Sequence, residues 1–160
     1  MIEFHREPAG SDVARALLSA MEREMFELYE MSAMPMPAST EDLEPAAGGA
    51  FVVGREDGRP VAGGGVVRMG PGVAEIKRMY VVPEARRRGH ARRLLTALED
   101  AARELGYERV RLDTGARQPH ARALYESAGF QPIPDYNDNP KAAYWGEKVL
   151  QARHPGGGAT

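Results

Sequence analysis

The chain has 160 residues, 42% of them hydrophobic, with 21 Lys and Arg against 23 Asp and Glu for a formal net charge of -2. That length suits one domain with a real core, and a near-neutral, slightly acidic balance argues against general nucleic-acid binding. There is no cysteine, which excludes disulfides, thiolate metal sites and a cysteine nucleophile. No apolar run approaches a membrane span, and the stretch from Met1 to Glu7 lacks the apolar core of a signal peptide, so a cytoplasmic location is the simplest expectation.

Taken in chain order, Ser11 or Asp12 can cap a first helix carrying Val13, Leu17, Leu18 and Met21 at helical spacing. A second amphipathic piece follows through Met25, Phe26, Leu28 and Tyr29, and the prolines between Met31 and Pro37 should end it. Residues 38–49 read as a loop with a short helical turn from Thr40 to Leu43. Ala50 to Arg55, Val61 to Met69 and Ala74 to Val82 read as an antiparallel meander, with Asp57-Gly58 and Gly70-Pro71-Gly72 as its turns. Gly63-Gly64-Gly65 weakens the middle strand but permits close approach by a neighbour. A helix from Gly89 to Leu105 presents Leu94, Leu95, Leu98, Ala101 and Ala102 on one face, and Gly106 ends it. Arg109 to Thr114 is a strand, Pro119 opens a helix that Gly129 stops, and Phe130 to Ile133 with Ala142 to Val149 form a last strand pair around the loop from Pro134 to Pro140. The order ααβββαβαββ implies a mixed sheet flanked by helices, with a parallel, right-handed strand–helix–strand unit from Glu75 to Thr114. Residues 1–152 are expected to form a single domain and 153–160 a flexible Gly-rich tail.

The segment Arg86-Arg87-Arg88-Gly89-His90-Ala91 lies between a strand and a helix. N–H groups of such a loop and of the first helical turn have no intrahelical partners and point outward together. The helix dipole and the arginines add positive charge, which makes a pyrophosphate the natural ligand; on the loop alone, a solvated basic turn remains an equal reading. No pair of histidines, and no histidine–carboxylate pair, has metal-ligand spacing, so no metal is expected. No Ser-His-Asp nucleophile motif is present.

R-x-x-G-x-A after E-I-K-R-M-Y-V, followed some thirty positions later by A-R-A-L-Y-E-S-A-G-F, resembles the GCN5-related N-acetyltransferase (GNAT) superfamily over roughly Ala50 to Leu150. The resemblance implies the acyl-CoA N-acyltransferase fold, an α+β arrangement with a central, mixed, mostly antiparallel sheet flanked by helices. It implies acetyl-CoA as co-substrate. The Q/R-x-x-G-x-G/A loop, fixed at Arg86, Gly89 and Ala91 and filled by Arg87, Arg88, His90 and Arg92, would hold the pyrophosphate. Main-chain groups of Met79, Tyr80 and Val81 would pair with the pantetheine amides where two strands splay apart. Gln118 stands where the family commonly has Asn; it keeps the amide with one more methylene, and the resemblance implies a contact to the pantetheine or phosphate arm.

Acetyl transfer to an amine needs a base for the amine proton, a donor to the thioester carbonyl and an acid for the departing thiolate. Glu75 is the candidate base: eleven positions precede Arg86, about one acyl-pantetheine length at ~3.3 Å per strand residue, and the family often has its base at this spacing. A solvent-facing glutamate paired with Arg68 or Lys77 is the alternative. Tyr125 matches the tyrosine of the family's L-Y-E-x-x-G-F motif and is the candidate acid, the alternative being a core aromatic. In this family the segment Met25 to Met36 and the loop Asp135 to Asn139 would frame the acceptor. Asp135 and Asp138 would attract a cationic amine, and Tyr29 and Tyr136 would stack on an apolar or aromatic portion of the acceptor. The expected activity is N-acetylation of a small or amino-acid-like primary amine by direct transfer in a ternary complex. A protein N-terminus or lysine as acceptor, or an inactive CoA-binding sensor, are the alternatives. No nucleic acid and no membrane partner is expected, and a homodimer stays open.

Overall fold

The computed structural model describes residues 1–33 and 39–151. Its centre is a seven-stranded sheet in the order β1-β2-β3-β4-β5-β7-β6. The strands are β1 (Ile2–Arg6), β2 (Ala50–Glu56), β3 (Arg59–Gly70), β4 (Val73–Val81), β5 (Arg109–Gly115), β6 (Gln131–Pro132) and β7 (Ala142–Val149); the helices are α1 (Asp12–Leu28), α2 (His90–Glu104) and α3 (Pro119–Ser127). Only β4 and β5 pair in parallel, across the α2 crossover, and every other ladder is antiparallel. The mixed sheet flanked by helices matches the expected fold class.

Two details differ from the sequence reading. The chain begins with strand β1, whose Ile2 and Phe4 pack against the core while Glu3 faces solvent; two apolar residues in alternation are too short a signal to mark a strand. The expected pair of N-terminal helices is one helix. Ser11 caps it, its Oγ accepting from Ala14 N at 3.1 Å, and no Gly or Pro between Met21 and Met25 interrupts it. The helix ends at Leu28, ahead of the Met/Pro segment, most of which lies outside the described residues, as does the tail from residue 152. The turn at Thr40 to Leu43 is a short 3-10 helix, Glu41–Leu43. Pro119 is at the start of α3, and Gly106 and Gly129, with φ of 91° and 99°, follow α2 and α3 in the left-handed conformation that stops a helix.

The sheet buries both faces. Leu94, Leu95 and Leu98 of α2 meet Val66, Ile76, Val110 and Leu112 on one side, while Leu17 and Leu18 of α1 meet Phe51, Val53 and Val67 on the other. The triple glycine of β3 is what lets both helices sit close. A Cβ on Gly64 would lie 2.7 Å from Leu98 Cδ1 of α2, and one on Gly63 would lie 3.1 Å from Leu17 Cδ1 of α1. The intrinsic weakness of a glycine strand is thus offset by leucines that sink into it, each contributing about 1.5–3 kcal/mol when fully buried.

β4 positions the site. It pairs with β5 only from Val73 to Glu75; beyond Glu75 the two strands diverge, and residues 76–81 have no ladder partner on that side. On the β3 side, Tyr80 faces Gly63 and Lys77 faces Gly65, so Arg78 and Met79 together oppose Gly64. This bulge puts Arg78 at a φ of 58° and turns the rest of the strand toward the opening.

Candidate active site

The gap between β4 and β5 is roofed by α1 and α3 and holds two connected hollows. The lower one, about 420 Å³, runs along Tyr80, Val81, Arg86, Ala91 and Leu94 to Leu124. The upper one, about 530 Å³, is bounded by Glu75, Lys77, Arg78, Asp113 and Lys141. They share a wall formed by Met21, Met25, Met79, Gln118 and Tyr125. A larger hollow of about 750 Å³ lies between β1 and α2, lined by Phe4, Arg6, Thr96 and Glu104; it contains none of the candidate catalytic groups and is not adjacent to the splayed strands.

At the lower end, Arg87 and Gly89 adopt φ of 64° and 79°. Alternating left-handed residues ahead of a helix turn successive N–H groups toward one point, an anion nest. Among the described residues, the N–H groups of Arg87, Arg88 and Gly89 donate to no backbone carbonyl, and those of His90, Ala91 and Arg92 belong to the free first turn of α2. The side chains are used differently. Arg86 donates to Val81 O at 2.8 Å, forms an ion pair with Glu24 of α1 at 2.7 Å and lies over the Tyr80 ring, which ties the end of β4 to the roof. Arg88 pairs with Glu56 at 2.9 Å. His90 is buried, its Nε2 3.1 Å from the same glutamate. Arg92 donates to Ser127 Oγ. The loop therefore offers main-chain donors, while most of its basic side chains brace it.

Where β4 leaves β5, Glu75 projects into the upper hollow with its side chain only 12% exposed. Tyr136 donates to Glu75 Oε2 at 2.6 Å, and Lys77 Nζ stands 3.8 Å from Oε1. Burial raises the Glu75 carboxyl above its ordinary range, against the opposing pull of the Tyr136 hydrogen bond and the Lys77 charge. Tyr125, on α3, is buried at the junction of the two hollows with its hydroxyl 3.7 Å from Met79 Sδ. Burial pushes its phenol up to about 12, so it stays protonated at neutral pH.

Gln118 stands at the N-cap position of α3, at the junction, where its Oε1 accepts from the Tyr29 hydroxyl at 3.2 Å rather than from the helix. Tyr29 reaches it because residue 115 is glycine: a Cβ there would lie 1.6 Å from the Tyr29 hydroxyl. Of the acceptor residues read from the sequence, Tyr29 lines the upper hollow, and Tyr136 reaches it through its bond to Glu75. Asp135 and Asp138 do not line it; Asp135 Oδ1 accepts from the N–H groups of Asn137 and Asp138 and shapes the loop. Two wall residues, Asp113 and Arg78, had no signal in the sequence. Asp113 Oδ2 accepts from Asn137 at 2.6 Å and Asn139 at 3.3 Å, and Trp145, outside the wall, donates to Asn137 Oδ1 at 3.0 Å.

This geometry has clear relatives. The profile of the Acetyltransferase (GNAT) family matches residues 14–130. An IAA acetyltransferase of Azospirillum brasilense is 32% identical over 158 residues, covering 93% of this chain and 98% of that protein. A Klebsiella pneumoniae protein classed as an acyl-CoA N-acyltransferase superposes with a TM-score of 0.75 at 28% identity, covering 94% of this chain and 99% of the other. The structure of yncA from Salmonella typhimurium, solved with its cofactor acetyl-CoA, shares the fold with a TM-score of 0.66 at 17% identity over 99% of both chains. An open strand edge, an anion nest and a hollow with a buried carboxylate thus stand inside a matched family profile: the chain belongs to the acetyltransferase (GNAT) family and is an acyltransferase.

Proposed function

We propose that the protein transfers an acetyl group directly to a primary amine of a small molecule or amino-acid-like acceptor, with both substrates bound together. The observation that carries this reading is the continuity of the two hollows: a nest of main-chain donors at one end, Glu75 at the other, and Tyr125 between them. The unpaired edge of β4 and the nest fit acetyl-CoA. Residues 87–92 would hold the pyrophosphate through N–H groups, and the edge from Met79 to Val81 would pair with pantetheine amides as an added strand. Bound acetyl-CoA supplies an activated thioester.

The remaining work falls to the chain's own groups. An attacking amine must be neutral, and Glu75, its proton affinity raised by burial, takes that proton directly or through water. The upper hollow seats the acceptor between Glu75 and Tyr29 and so supplies proximity. The N–H near Val81 would donate to a developing oxyanion. Tyr125 holds a proton at the junction and donates it to the leaving sulfur.

The test follows release of coenzyme A across a panel of amines, amino acids, peptide N-termini and lysine peptides, with IAA included because of the Azospirillum relative's name. Turnover with small amines and none with peptides supports the reading. Tight acetyl-CoA binding without turnover on any acceptor would make the chain a CoA-binding sensor.

A further inference from the structure

We infer that the acceptor amine carries an anionic oxyacid group, a carboxylate in the first instance, so that the substrate class is amino acids rather than simple amines. This rests on the proposed N-acetyltransferase reading and concerns the acceptor end of the same site. Five charged side chains line the upper hollow: Glu75, Asp113, Lys77, Arg78 and Lys141. The two acids are engaged. Glu75 accepts from Tyr136, and Asp113 accepts from Asn137 and Asn139. The cations are not matched to them. Lys77 is only loosely paired with Glu75, at 3.8 Å. Lys141 lies 5.8 Å from the Tyr29 ring centroid and contacts Met31 Sδ, and among the described residues it makes no ion pair. An Arg78 guanidinium N–H donates to Ser39 O at 3.0 Å, while its Nη1 is buried and, among the described residues, has no hydrogen-bond partner.

That nitrogen has no surface open to the hollow, so Arg78 contributes to the wall through its charge, which no ion pair matches among the described residues. The bulge that sets Arg78 at a φ of 58° keeps this residue at the wall of the hollow. Its charge is not needed for the pyrophosphate, which belongs at the nest at the far end of β4. An acceptor whose amine meets Glu75 and whose anionic group meets the adjacent cations satisfies both sets at once. The Glu75–Lys77 separation suits an amine and a carboxylate on neighbouring carbons. Met21, Met25 and Tyr29 leave an apolar wall for the side chain.

The experiment compares matched pairs under saturating acetyl-CoA: L-leucine with isoamylamine, L-phenylalanine with phenethylamine, and L-leucine with its aminophosphonate analogue. Without the carboxylate, a charge-assisted hydrogen bond from these cations cannot form, which should lower kcat/KM by about ten- to a hundredfold for each decarboxylated partner. Lys141→Gln, an exposed and structurally safe change, and Arg78→Gln should bring that ratio toward one. Calorimetry gives a readout independent of turnover: with coenzyme A present, N-acetyl-L-leucine should bind and N-acetylisoamylamine should bind at least about tenfold more weakly. Activity on the phosphonate equal to that on leucine would keep the inference and widen the anion. Equal or better activity on the decarboxylated amines overturns it and leaves the N-acetyltransferase reading intact. Acetylation of no amine in the panel, with acetyl-CoA still bound, overturns both.

Discussion

Tyr136 donates its phenolic hydrogen to Glu75 Oε2 at 2.6 Å, which joins the loop before β7 to the last residue of β4 that still pairs with β5. The bond favours the ionised carboxylate, whereas burial favours the neutral acid and is the larger influence. Tyr136→Phe keeps the ring and removes the donor. The Glu75 carboxyl should then rise further, so the acid limb of kcat/KM against pH should move to higher pH. A profile measured with the best acceptor checks this; an unmoved limb would mean that another group sets it.

Glu75→Gln separates catalysis from stability. Loss of a general base should lower kcat by about 10²–10⁴-fold, with little change in acetyl-CoA affinity. Because the folded-state pKa is raised above its ordinary 4.5, ionisation of Glu75 works against the fold. Below that ordinary value both states hold the proton and no cost arises; as pH rises through the folded-state pKa, stability is lost. The Gln variant lacks this loss, so its melting temperature should match wild type in acid and equal or exceed it at neutral pH. Scanning calorimetry at both ends of this window tests the sign.

Gly89→Val places a branched side chain at a φ of 79° beside the loop donors, with its Cβ 3.3 Å from Arg93 Nη1. The left-handed conformation costs a non-glycine residue about 1–2 kcal/mol, which the fold should survive. Close approach of a phosphate should not survive it. Titration calorimetry is expected to show no measurable acetyl-CoA binding while the circular dichroism spectrum stays that of wild type.

The middle strand offers a test of packing alone. Gly64→Ala puts a Cβ 2.7 Å from Leu98 Cδ1, in a core where Leu98 is fully buried. Overpacking of this kind costs about 1–3 kcal/mol, or roughly 2–12 °C in melting temperature at this chain length. An unchanged melting curve would show that α2 can shift away from β3 at no cost.

Much of the fold is legible in the sequence because its punctuation is local. Gly106 and Gly129 end helices, Pro119 starts one, and Asp57-Gly58 turns a hairpin. Strand β1 is not legible because its identity depends on pairing with β2, some fifty residues away, rather than on its own five. The site divides in the same way. Spacing and motif single out Glu75, Tyr125 and the Arg86-to-Ala91 loop. The hydrogen bonds of Asp113 with Asn137 and Asn139, and the unmatched cation at Arg78, arise from long-range approach and from one backbone angle in a bulge. No local pattern encodes either.

Tyr125→Phe addresses the group between the two hollows. The change removes one hydroxyl from a buried ring that also packs against Phe130 at 5.9 Å between centroids. The hydroxyl's interaction with Met79 Sδ, at 3.7 Å, is weak, so the fold should hold without it. With its phenol pushed up to about 12, Tyr125 is a donor throughout the neutral range. If it protonates the leaving thiolate, kcat should fall while KM for acetyl-CoA changes little, the pattern of an interaction made mainly in the transition state. A thiolate leaves fairly well unaided, so the expected loss is about ten- to a hundredfold, near the low end of acid–base effects. Steady-state kinetics with varied acetyl-CoA decides it: full turnover in the phenylalanine variant would assign Tyr125 to the core and leave the proton to water.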